Sequence, residues 1–144
     1  MAIAVGILVV SSCGALKVDV VGESMSPTLK NGDSALATRT FTDLTRGDVV
    51  GFRYPKDESK SFVQRVIGLP GDRIEMRQGH VIVNDKPLAE TYVAEGNRSQ
   101  DSWGPLTVER GRYFMMGDNR RNSSDSRSWG TVGRDAIWAK VIVP

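Results

Sequence analysis

From Lys17 to the C-terminus no stretch of this chain keeps a helical period over three turns, and that constrains its fold more than any other feature. Short runs rich in β-branched and aromatic residues stand there instead, each closed by a turn signal. "K-V-D-V-V" (17–21) alternates briefly. "S-A-L-A-T-R" (34–39) and "D-V-V-G-F-R-Y" (48–54) follow Asn-Gly and Arg-Gly-Asp turns, and "S-F-V-Q-R-V-I-G" (61–68) stops at Leu69-Pro70-Gly71. Residues 72–77 and 80–84 flank Gln78-Gly79 as a hairpin, and 111–118 and 136–143 supply two late strands. The expectation is one all-β domain, mostly antiparallel, over residues 17–144. Residues 90–105, "E-T-Y-V-A-E-G-N-R-S-Q-D-S-W-G-P", read as a long surface loop.

At 144 residues the chain is long enough for one apolar core. Its 19 basic and 17 acidic residues are spread along it without a basic block, which argues against nucleic acid as a partner. One cysteine, Cys13, excludes an internal disulfide, and with a single histidine the chain offers too few ligands for a metal cluster. No metal or organic cofactor is implied. Residues 2–16 contain no charged side chain. A spanning helix needs roughly 20 apolar residues, with about 17 as the lower end. Three readings of this N-terminal segment (1–16) compete: a membrane anchor, a cleaved or lipid-attached signal around Cys13, and a buried first strand.

Three segments stand out within this pattern. "G-E-S-M-S-P-T-L" (22–29) places Ser24 in a turn ending in proline, and Pro27 restricts both its own φ and the conformation of Ser26. "V-Q-R-V-I-G-L-P-G-D" (63–72) is a strand running into a Pro-Gly turn. "G-D-N-R-R-N-S-S-D-S-R" (117–127) taken alone is a polar loop. In this order and spacing the three resemble the diagnostic boxes of bacterial type I signal peptidases, membrane-anchored serine endopeptidases that remove signal peptides from exported proteins. The resemblance runs from about Lys17 to the C-terminus.

It implies a catalytic β domain on the extracytoplasmic face of a membrane. Its partners would be the signal peptides of exported preproteins, added as a strand beside the Ser24 segment. Ser24 would be the nucleophile, with its own N–H as first oxyanion donor. Gly22 stands where some members carry an assisting hydroxyl. Met25 would lie against substrate or a membrane-facing surface. Ser123 corresponds to the hydroxyl that orients the base, and Asp125 and Arg127 to an ion pair that holds the loop. Asp118 is a candidate partner of Arg65. Gly68, Pro70, Gly71 and Asp72 read as turn architecture.

The family's general base is a lysine directly before the arginine of the second box, and here that position is Gln64. A carboxamide can hold a hydroxyl by hydrogen bonding but cannot deprotonate it. Arg65 stays protonated at any useful pH. Lys60 lies four residues earlier, ~13 Å away at strand rise. His80 sits at a hairpin edge, and Lys30, Lys56 and Lys140 have no assigned place. The alternative reading is a catalytically impaired relative that binds signal peptides or a partner without cutting. A self-cleaving repressor of related architecture would need a DNA-binding module before the β domain.

Overall fold

The computed structural model describes the backbone of residues 3–10 and all of residues 15–143. Strands dominate, as the pattern of short β-branched runs requires. β1 (Ile3–Val10), β2 (Ala15–Val21), β3 (Ser34–Thr38), β4 (Val49–Tyr54), β5 (Asp57–Gly68), β10 (Arg112–Met116), β11 (Val132–Gly133) and β12 (Ile137–Ile142) form one sheet, in the order β1-β2-β3-β12-β4-β5-β10-β11. A second sheet has the order β8-β7-β6-β9, from β6 (Arg73–Arg77), β7 (His80–Val83), β8 (Lys86–Pro87) and β9 (Trp103–Thr107). Neighbouring strands in both sheets pair antiparallel.

The large sheet curls on itself. Leu16, Val18 and Val20 of β2 share a core with Val63 of β5, although three strands separate β2 and β5 along the sheet. Phe62 and Val66 face a second core with Phe52 and Met115, and Ile67 joins a third with Ile74 and Phe114. β5 is therefore buried on both faces from Phe62 to Gly68. Full burial of each of its large apolar side chains contributes about 1.5–3 kcal/mol. On such a strand the two polar residues, Gln64 and Arg65, are the anomaly.

The sequence expectations for β2 to β7, β10 and β12 agree with the strands within a few residues. The expected surface loop at 90–105 does not. Val93 is buried, the Glu90 side chain is 2% exposed, and β9 begins at Trp103, pairing Trp103 with Met76 and Leu106 with Ile74. "W-G-P" reads as a breaker, yet β9 is an edge strand of its sheet, where proline is tolerated. The segment before it closes onto the hairpin at Gly79 (φ +82), where a Cβ would lie 1.9 Å from the Ser99 carbonyl oxygen. Only a glycine permits that approach.

Of the N-terminal segment, Ile3–Val10 is a strand that pairs antiparallel with β2 and approaches β5. Cys13 lies outside the described residues. Among the described residues no helix is long and apolar enough to cross a membrane.

Candidate active site

β2 ends at Val21, and the chain turns at Gly22 with φ +96, a left-handed conformation that favours glycine. The Gly22 N–H donates to the Asn31 side chain at 2.9 Å, so this residue serves the turn. Ser24 follows, 7% exposed. The turn is fixed by the Ser26 N–H on the Glu23 carbonyl at 3.1 Å and the Leu29 N–H on the Met25 carbonyl at 3.0 Å. Met25 does not face outward, contrary to the expectation. It is 2% exposed, lies in the core that contains Val63, and its sulfur accepts the Asp118 N–H at 3.4 Å. Among the described residues the Ser24 N–H has no hydrogen-bond partner, which leaves it free to meet an oxyanion.

β10 delivers the third segment to the same place. Met116 is opposite Arg65 in register, so residue 117 emerges beside the polar pair of β5. Gly117 is there because nothing larger fits: a Cβ would stand 2.2 Å from Ser123 Oγ and 2.6 Å from the Ser24 carbonyl oxygen. The Asn119 N–H donates to that same Ser24 oxygen at 2.8 Å, and the Asn119 side chain donates to the Glu23 carbonyl at 3.2 Å.

Asp118 joins all three segments. Fully buried, it accepts Arg65 Nε at 2.9 Å, Arg65 Nη2 at 2.7 Å and Thr28 Oγ1 at 2.5 Å. Arg65 spends its remaining nitrogen on the Gly47 carbonyl at 2.7 Å and stacks on Tyr92, its guanidinium carbon 3.9 Å from the ring centre. Burial, with the nearby Glu90 carboxylate, pushes the Tyr92 hydroxyl well above its ordinary pKa, so it stays a neutral donor.

Asp125 holds the far side of the loop. It accepts the Gly117 N–H at 3.1 Å, Ser123 Oγ at 2.8 Å, and Nε and Nη2 of Arg127 at 2.8 Å each. It also caps the single helical turn α1 (Ser126–Trp129). Burial alone would lower the Arg127 pKa, but its hydrogen bonds and charge pairing with Asp125 outweigh burial and raise it. Trp129 packs on Phe52 in the core, 6.0 Å between ring centres, and donates Nε1 to Ser124 Oγ at 3.2 Å.

Gln64 is fully buried, and its Nε2 donates to the Ser124 carbonyl at 2.7 Å. The carboxamide thus reaches Ser124, to which the sequence assigned no role, rather than Ser123. Its Oε1 is buried without a hydrogen-bond partner, and it shares no hydrogen bond with Ser24 among the described residues. No sequence signal marks a backbone carbonyl as a partner; the strand register and the Trp129 anchor put it there. The other basic candidates are engaged or exposed. Lys60 pairs with Asp57 at 3.9 Å, Lys140 with Asp48 at 3.3 Å, and His80, Lys30 and Lys56 are exposed, His80 on the small sheet.

Three segments distant in sequence fix one serine-bearing turn against a buried strand of a curled antiparallel sheet, and that defines an all-β scaffold organised around a seryl loop. The family model for signal peptidase, peptidase S26, matches residues 1–144. A signal peptidase I of Leptolyngbya laminosa is 36% identical over 135 residues, covering 86% of this chain and 65% of that protein. Signal peptidase I P of Bacillus subtilis subsp. natto is 41% identical over 120 residues, covering 76% and 64%. A crystal structure of a signal peptidase I from Enterococcus faecalis V583 superposes with a TM-score of 0.62 at 29% identity, over 72% of this chain and 99% of that one. The chain belongs to the signal peptidase S26 family. It spans 60–65% of the length of the first curated relatives it matches.

Proposed function

We propose that this chain carries the catalytic domain of a type I signal peptidase, a serine endopeptidase that cleaves signal peptides from exported preproteins with Ser24 as nucleophile. The observation that supports it best is the junction at Asp118, which binds Thr28 of the seryl turn and Arg65 beside Gln64, while Asn119 binds the Ser24 carbonyl. In this reading the Ser24 oxygen adds to the scissile carbonyl while its proton passes to water, and the free Ser24 N–H meets the oxyanion. The amine leaves with a proton from water, and a second water hydrolyses the acyl-serine. A second reading, binding without cleavage, is favoured by one detail: the Gln64 amide hydrogens point at Ser124 and no base stands at that position. Incubating the chain with a signal-peptide substrate of small residues around the cut separates the two. Slow product formation that Ser24→Ala abolishes supports the peptidase; saturable binding with no product from either chain supports the binder.

The same proposal puts the domain at the outer face of a membrane, with residues 1–16 as its anchor. Of these, Ile3–Val10 would leave β2 for the bilayer, while Ala15 and Leu16 stay in β2. β2 stays held on its other edge by five residue pairs with β3, and the vacated edge is open to a substrate strand. A lysine at the centre of an inserted apolar segment costs about 2.5–3.5 kcal/mol on translocon scales. Ile7→Lys is therefore expected to move the chain from the membrane to the soluble fraction after carbonate extraction. An unchanged membrane fraction would exclude residues 1–16 as the anchor.

A further inference from the structure

We propose that residues Glu90–Asn97 form a strap that holds the seryl turn in its working geometry, and that Glu90 is the positioning residue within it. The inference rests on the reading of Ser24 as nucleophile. The strap leaves the small sheet after β8, where the Leu88 N–H is still bonded to the Val81 carbonyl at 2.9 Å, and crosses to the seryl turn on the large sheet. It is fastened at three points. Glu90 makes a two-pronged ion pair with Arg120, Oε1 to Nη1 at 3.1 Å and Oε2 to Nη2. Tyr92 covers the guanidinium of Arg65, next to position 64. Asn97 Nδ2 donates to the Ser26 carbonyl at 3.1 Å, two residues beyond Ser24.

The first fastening is the most sensitive to loss of one partner, because both side chains are buried, Arg120 0% and Glu90 2% exposed. A buried guanidinium without its carboxylate is costly and is driven to move toward water. Arg120 cannot move without consequence. Its Nε donates to the Gly117 carbonyl at 2.9 Å, and Gly117 lies in contact distance of the Ser24 carbonyl and Ser123 Oγ. Displacing Arg120 therefore loosens the backbone against which the seryl turn rests, including the bond from the Asn119 N–H to the Ser24 carbonyl. Glu90 touches neither Ser24 nor Gln64; it acts through Arg120 and Gly117.

Amide hydrogen exchange on the chain as it stands tests this. In Glu90→Gln the Asn119 amide is expected to exchange about tenfold faster, while the Val66 amide, bonded to the Asp48 carbonyl, keeps its protection. An unchanged Asn119 amide, or equal acceleration of all amides, would overturn the strap. Asn97→Ala removes no buried charge and keeps the test decisive where Glu90→Gln fails to fold. It should speed exchange of the Ser26 amide about threefold, and no change there rejects the strap as a support of the seryl turn. In a Gln64→Lys background, Glu90→Gln is expected to lower kcat about tenfold with KM within about twofold, the mark of misplaced rather than missing groups. An unchanged kcat there counts against the proposal. If the Gln64→Lys chain makes no product, the peptidase reading is what fails, and amide exchange still decides the strap.

Discussion

Gln64→Lys is expected to raise peptidase turnover by several orders of magnitude. Loss of one member of a serine hydrolase's catalytic set costs on the order of 10⁶ in turnover, roughly 8 kcal/mol of barrier, and restoring a base should recover much of it. On the proposed reading, position 64 would take an amine. Position 64 is fully buried between Phe62 and Val66 on one face of β5, and burial lowers a lysine's pKa, which leaves a neutral amine near physiological pH. The Ser124 carbonyl, now 2.7 Å from Gln64 Nε2, is an acceptor ready to orient it. The recovered rate should rise with pH through the depressed pKa of that amine, and Gln64→Arg, charged throughout, should gain nothing. Turnover of signal-peptide substrate is the measurement. A Gln64→Lys chain that folds and is no faster than the parent would show that position 64 does not face the Ser24 hydroxyl.

How much of this was legible beforehand differs between the strands and the site. β2 to β7, β10 and β12 stand out in the sequence because each is a short apolar or alternating run bounded by turn signals. β9 does not, because Trp103-Gly104-Pro105 carries two breakers that only an edge position excuses. The apolar run at 2–16 has no charge and no period to separate a strand from an anchor. At the site, Ser24, Gln64, Arg65 and Asp118 are marked by motif, since their chemistry is in their own side chains. The Ser124 carbonyl and the Gly117 contact are backbone features, silent in a one-dimensional reading. Glu90 is hidden for another reason. A glutamate in a segment that also carries Glu95, Thr, Asn, Ser and Asp reads as solvated, and nothing local reveals that Arg120, thirty residues on, is buried against it.

Asp118→Ala should cause the largest loss of stability of any single substitution around the site. Asp118 is fully buried, and its removal strands the Arg65 guanidinium, 8% exposed, with only the Gly47 carbonyl and the Tyr92 ring as partners. Breaking a buried ion pair on one side costs about 3–5 kcal/mol, because the remaining charge is left uncompensated. For a domain of this size that corresponds to a fall in Tm of about 10 °C or more. Thr28 Oγ1 loses its acceptor in the same step, so the seryl turn is freed along with β5. Asp101 supplies the contrast. Its carboxylate is 41% exposed and meets Arg127 at 3.5 Å, and Arg127 keeps its two hydrogen bonds to Asp125 without it, so Asp101→Ala should cost no more than about 1 kcal/mol. Thermal melts of the two variants beside the parent decide the matter. If Asp118→Ala melts within a degree or two of the parent, the carboxylate is not the joint between the three segments, and the seryl turn must be held by its own hydrogen bonds and those from Asn119 and Asn97.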